Sequence, residues 1–148
     1  MKTKTPLPIT SDPLPTSNQT AVAVIGSGYW GKNLVRNFHQ LGVLKTICDG
    51  AQAIREDMTK TYPDVAVTDD FNAILKDKAI KGVVIAAPAV FHYEIAEKAL
   101  NAGKHVFVEK PLSLNHADGE KLVRLAAEKK KTLFVGHILH YHAAIIRL

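Results

Sequence analysis

The sequence predicts an α/β fold on a doubly wound parallel sheet, with about six strands and helices on both faces. Three observations carry that prediction. From residue 20 onward, short apolar runs alternate with stretches of helical periodicity, the pattern of repeated βαβ units. Several of the runs, GVVIAA among them, are almost continuously apolar, as strands covered on both faces must be. A glycine-rich turn, GSGYWG, follows the first run and opens the first helical stretch.

The elements follow in order. AVAVI at 21–25 gives the first strand, and a helix is expected from Tyr29 to Leu41, with Trp30, Leu34, Phe38 and Leu41 on one stripe and Gly42 as its stop. LKTIC at 44–48 gives the second strand, in which Cys48, the single cysteine, is expected to serve as a small core side chain. A helix over 51–61, a strand VAV at 65–67 and a short helix over 70–76 come next. GVVIAA at 82–87 is the fourth strand, followed by a helix over 91–102 that Gly103 ends. HVFVE at 105–109 leads to a helix over 116–130, whose start Asn115 and Asp118 can cap, and TLFVG at 132–136 is the sixth strand. Lys129, Lys130 and Lys131 mark the solvated end of that last helix, where cations suit the macrodipole.

Composition sets the class. The 148 residues, 47% of them hydrophobic, are enough for one domain with its own core. Residues 1–19 carry four prolines and little to bury, so they read as a disordered tail, and 20–148 as the folded domain. No stretch approaches the roughly 20 apolar residues that span a bilayer, and the first residues lack the apolar centre of a secretory signal. A cytoplasmic protein without membrane contact is expected. The net charge of +5 is scattered and has no aromatic residues interleaved with it, so nucleic acid is not an expected partner.

The chemistry concentrates in three stretches. In GSGYWG, Gly26 permits the tight strand-to-helix turn, Gly28 removes a side chain that would block a pyrophosphate, and Gly31 lets the helix pack close to the sheet. The amides and positive end of the helix then receive the phosphates. Asp49, at the end of the second strand, is placed to accept hydrogen bonds from the adenosine ribose. Its charge opposes the extra phosphate of NADP, with only Arg55 as a late counterweight, so NAD is the favoured cofactor. In AAPAVFH, Pro88 ends a buried strand at the carboxyl edge of the sheet, and His92 is either a cofactor-side contact or a partly exposed helix-start residue. In VFVEKPLS, the pair Lys110-Pro111 fixes the chain direction and can aim an ammonium into the cleft.

Taken in order, the glycine turn, AAPAVFH, EKP and Gly136-His137 resemble the Gfo/Idh/MocA family of NAD(P)-dependent oxidoreductases across 20–148. The wording GYWGKNLVRNFHQLG is most similar to members that oxidise sugar nucleotides. The resemblance implies a Rossmann domain that holds a nicotinamide dinucleotide, with a nucleotide sugar as substrate. By position, it assigns Gly26, Gly28, Tyr29, Trp30 and Gly31 to the phosphate turn and Asp49 to the ribose. It assigns Ala87, Pro88 and His92 to the wall near the nicotinamide, and Glu109 and Lys110 to the pair whose lysine approaches the reacting carbon and hydroxyl. Lys110 is thus the expected catalytic residue, and His137 is expected on the substrate side. Ala86-Ala87-Pro88 departs from the family's more frequent Thr-Pro wording.

The family's second domain, which forms the substrate floor and supplies a further catalytic histidine, is not expected within these residues. The chain alone is therefore read as incomplete or inactive in hydride transfer. The competing reading is a stand-alone dinucleotide-binding or regulatory module without catalysis. His137, His140 and His142 have no carboxylate or cysteine at a compatible spacing, so no metal is expected. The apolar run ILHYHAAIIRL, with the sheet surface beside it, is expected to drive homo-oligomer formation.

Overall fold

The computed structural model describes residues 20–137. The expectations for 1–19, His140, His142 and the apolar run from 138 onward lie outside the described residues. Six strands form one sheet: β1 (Ala21–Ile25), β2 (Leu44–Cys48), β3 (Ala66–Thr68), β4 (Ile80–Ile85), β5 (His105–Glu109) and β6 (Leu133–Gly136). Every pairing is parallel, and the spatial order is β3-β2-β1-β4-β5-β6. Between the strands run α1 (Gly31–Gln40), α2 (Gln52–Thr61), α3 (Phe71–Lys76), α4 (His92–Asn101), with a 3-10 turn at Ala89–Phe91 before it, and α5 (His116–Lys129).

The alternation of side chains along each strand divides the core in two. Val22 and Val24 of β1 face the layer that holds Val35 of α1, Ile47 and Met58 of α2. Ala23 and Ile25 face the opposite layer, with Ile74 of α3, Ala96 and Leu100 of α4 and Leu122 of α5. Both faces of the sheet are covered, which explains the continuously apolar strands. Each fully buried leucine or isoleucine, such as Leu100, Leu122 or Ile85, adds roughly 2 kcal/mol by leaving water.

Most element ends lie within one residue of the periodicity, and the larger differences fall on α1 and β4. Helix α1 begins at Gly31 rather than Tyr29, because residues 28–30 are spent on the turn out of β1. Its buried stripe centres on Leu34, Val35 and Phe38, while Trp30 and Leu41, at the ends of the expected stripe, are 44% and 50% exposed. Strand β4 starts at Ile80 and stops at Ile85. Exposed Lys81 hides its start from the apolar pattern, and Gly82 sits where a Cβ would press on Val22 at 3.3 Å. Ala86 still donates its N–H to the Ile25 carbonyl at 2.8 Å, but from there the chain leaves the sheet.

The caps behave as local chemistry dictates. Asp70 accepts the Ala73 N–H at 3.0 Å at the start of α3, and Asn115 accepts the Asp118 N–H at 2.9 Å at the start of α5. Asp118 is not a second acceptor for the helix amides. Its carboxylate is held below the usual range by hydrogen bonds from Lys121 and Asn115. Cys48 is buried, as expected, and its thiol is pushed up to about 11, first by burial and then by Asp49, Asp69 and Asp70. It stays protonated at neutral pH and is no nucleophile.

Lys104 was not foreseen. It is buried at the amino edge of the sheet, where its ammonium donates to the carbonyls of Asp77 at 2.6 Å and Ile80 at 2.8 Å, tying the turn before β4 to the start of β5. Burial, ahead of all other causes, lowers its pKa. The unfolded chain therefore binds more protons just below the ordinary lysine value of about 10.4, so this group's contribution to stability rises with pH through that window. Lys104→Met, which strands both carbonyls, is expected to cost about 1–3 kcal/mol at neutral pH. Urea unfolding of both proteins from neutral to alkaline pH checks this, because the gap must widen as pH climbs.

Candidate functional site

The order of the sheet decides where a ligand can enter. The chain leaves β1 toward β2 on one side and later returns to place β4 on the other, so the connections after β1 and β4 diverge. A crevice opens at the carboxyl ends of these two strands. All the chemistry-bearing stretches arrive at this edge: Gly26 after β1, Asp49 after β2, Ala86 to Pro88 after β4, Lys110 after β5 and His137 after β6.

The three glycines do different work. Gly26 has φ +84°, and a Cβ there would fall 2.6–2.8 Å from backbone atoms of Ala86 and Ala87. A Cβ at Gly31 would overlap the carbonyl oxygen of Gly26 and come within 3.3 Å of the Ala86 Cβ. Both positions are glycine because turn, helix and β4 touch one another there. Gly28 is different, since a Cβ would meet nothing within 4 Å. The fold makes no demand for glycine at Gly28. A bare backbone at that point leaves room for something approaching from outside, and α1 suits an anion, having no side-chain cap and no acid in its first turn.

Asp49 anchors this turn from the end of β2. Its Oδ2 accepts the N–H of Ser27 at 2.7 Å and the Ser27 hydroxyl at 3.3 Å, while Oδ1 accepts the Ala51 N–H at 2.9 Å. Ser27 is buried and was not singled out from sequence, where it is merely the middle residue of GSG. Arg55 lies beside them. Its Nη1 donates to the carbonyls of Asp49 and Gly50, both at 2.9 Å, and its Nη2 lies 3.3 Å from Asp69.

Deeper in the crevice a cavity of about 410 Å³ is lined by Trp30, Ala86, Ala87, Ala89, His92, Glu109 and Lys110. It joins the turn after β1 to the ends of β4 and β5. Glu109 is buried against Gly136 on the neighbouring strand, where a Cβ would meet its Oε1 at 3.1 Å. Lys110 is exposed, and among the described residues no hydrogen bond or ion pair holds its ammonium. His92 is 2% exposed, and both of its ring nitrogens lie against backbone carbonyls of the protein. It is therefore not a partly exposed helix-start residue, and its polar atoms are engaged by the wall itself.

The remaining candidates lie around the cavity rather than in it. Tyr29 is 90% exposed at the tip of the glycine turn, and Pro88 is exposed beside Ala87. His137 is exposed after β6 and donates its N–H to the Val135 carbonyl at 2.8 Å, outside the cavity lining. A separate groove of about 560 Å³ runs along Leu112 to His116 and one side of α5 and contains none of these residues. Among the described residues no group of three or more histidines, cysteines or acids has the geometry for a metal, and no helix is long and apolar enough to cross a membrane.

An extended anionic ligand fits these features. The uncapped positive helix end and bare Gly28 suit its phosphates, the carboxylate of Asp49 suits hydroxyls, and the cavity beyond suits a flat ring. The comparisons agree. The family described as oxidoreductase family, NAD-binding Rossmann fold, matches residues 20–137. The scyllo-inositol 2-dehydrogenase (NADP(+)) IolW of Bacillus subtilis (strain 168) is 38% identical over 82 residues, 55% of this chain and 23% of that protein. The UDP-N-acetylglucosamine 3-dehydrogenase of Acidithiobacillus ferrooxidans is 29% identical over 127 residues, covering 82% of this chain and 38% of that one. The crystal structure of GenD2 from gentamicin A biosynthesis, in complex with NAD, superposes with a TM-score of 0.81 at 27% identity, over 87% of this chain and 37% of GenD2. The chain thus spans between 23% and 38% of the length of these relatives. It belongs to the Gfo/Idh/MocA oxidoreductase family and forms that family's NAD(P)-binding Rossmann fold.

Proposed function

We propose that this chain is the dinucleotide half of a dehydrogenase that moves a hydride between NAD and a hydroxyl of a sugar or nucleotide sugar. The observation that carries the proposal is the cavity at the end of the glycine turn, which Lys110 lines together with Trp30, Ala86 and Ala87, its ammonium without a partner among the described residues. The Gly28 face and the start of α1 bind the phosphates, and Asp49 takes the ribose hydroxyls. Ala86 and Ala87 close one wall against water. When the substrate's carbonyl is reduced, the Lys110 ammonium donates a hydrogen bond to its oxygen and gives it a proton, becoming a neutral amine; in the oxidising direction that amine orients the hydroxyl and takes its proton back. A bound nicotinamide would supply the hydride acceptor.

Preference for NAD rests on two facts of charge. Asp49 presents a carboxylate at the ribose end, and Arg55, the cation beside it, is already committed to two carbonyls and Asp69. A further phosphate on the ribose would meet the acid and gain little from the guanidinium. Fluorescence titration is expected to give tighter binding of NADH than NADPH by about tenfold or more, equivalent to one charge-assisted hydrogen bond. Equal or tighter NADPH binding removes the NAD preference, and no binding of either removes the proposal. A turnover assay on a panel of nucleotide sugars then tests the substrate class.

A further inference from the structure

The ring of His92 is gripped at both ends. Nδ1 lies 2.7 Å from the carbonyl oxygen of Pro111, and Nε2 lies 2.7 Å from that of Ala87. A carbonyl oxygen only accepts, and a neutral imidazole carries a single N–H. In the neutral ring, one of these approaches would set a nitrogen lone pair against an oxygen lone pair. The doubly protonated ring has a donor for each carbonyl. Its charge also strengthens both bonds, and 2.7 Å is at the short end for N–H···O.

Burying that cation has a cost that its neighbours must offset. Glu109, itself 8% exposed, lines the same cavity and brings a negative charge, while Lys110 in the same lining opposes it from an exposed position. On the α5 side, Lys121 lies over the Tyr93 ring and pairs with Asp118, and the Tyr93 hydroxyl donates to Glu97. On α4 itself, Glu94 pairs with Lys98. The two lysines of that flank are thus matched by carboxylates, while half-buried Glu97 adds a negative charge that, among the described residues, only the Tyr93 hydroxyl meets. Glu109 is the buried carboxylate left to balance the ring.

We infer that His92 is a positioning residue: a doubly protonated brace that ties the turn after β4 to the turn after β5. One carbonyl belongs to Ala87, in the cavity wall, and the other to Pro111, next to Lys110. The brace therefore sets the separation between the wall and the lysine ammonium. When the ring loses a proton one leg is lost, and the Lys110 turn is released from the wall. Only the affinity arm of the test below rests on the dinucleotide reading.

The direct test is nitrogen-15 NMR of the imidazole rings in the whole chain at neutral pH, with His92 assigned through its own Cβ. Protons on both ring nitrogens are expected. One bare nitrogen overturns the brace whatever the protein binds. The second arm follows NADH affinity with pH: it is expected to weaken about tenfold, one charge-assisted bond, in step with the NMR titration of His92. In His92→Asn that dependence should vanish, and a wild-type affinity that stays flat while the ring titrates overturns the positioning role. Two protonated nitrogens without NADH binding at any pH uphold the brace and overturn the proposed function instead.

Discussion

Gly31→Ala is expected to lower unfolding free energy by about 3–5 kcal/mol, whereas Gly28→Ala, three residues earlier, should leave it within about 0.5 kcal/mol. The first change drives a methyl into the carbonyl oxygen of Gly26, a backbone atom that no rotamer can move aside. Relief requires α1 to lift from the sheet, which loosens Leu34, Val35 and Phe38 in the layer they share with Val24 and Ile47. The midpoint of thermal unfolding should fall by about 10 °C or more. At Gly28 the added methyl meets nothing within 4 Å, so the fold tolerates it.

Binding should respond differently. The methyl at Gly28 stands where phosphate oxygens must approach the backbone, and each amide bond to a charged group that is lost costs at least about tenfold in affinity. Gly28→Ala is therefore expected to keep its melting temperature and lose most of its NADH affinity. Calorimetry for melting and fluorescence for NADH, on the same two variants, separate the two roles. A Gly28→Ala protein that binds NADH as well as the wild type would show that no pyrophosphate crosses that face.

The glycine turn was legible in the sequence because each residue answers to a local demand, a turn, a close approach or a bare surface, and the spacing records all three. Six parallel strands were legible for a similar reason, since burial on both faces leaves runs without alternation. What stayed hidden depends on contacts between distant positions. The sequence puts Asp49 at the end of the second strand, but not its grip on Ser27, which exists only because β1 and β2 end side by side. His92 offered two readings, and neither included a ring held by carbonyls of Ala87 and Pro111. Lys104 reads as one more surface lysine until the turn at Asp77 folds over it. The start of β4 was masked by one exposed lysine, Lys81, that interrupts the apolar run without interrupting the strand.

With the family's substrate-floor domain supplied alongside it, Lys110→Ala is expected to reduce turnover by about 10²–10⁴-fold, the range for removing a group that moves a proton at the reacting atom. NADH affinity should change much less than turnover, since among the described residues the ammonium makes no hydrogen bond or ion pair to the residues proposed to bind phosphates or ribose. Its side chain is exposed at the cavity lining and no described group neutralises it, which is how a cation meant for an external hydroxyl should stand. Lys110→Arg is expected to recover little, because a planar guanidinium spreads its charge over a fork and releases no proton near neutrality. The same loss is readable without turnover: binding of the nucleotide sugar to the NADH-loaded protein should weaken about tenfold in Lys110→Ala. A variant that keeps full turnover and full sugar affinity would remove Lys110 from the chemistry. The hydroxyl's proton would then have to leave by way of another group lining the cavity, and Glu109 is the nearest in sequence with the capacity to take it.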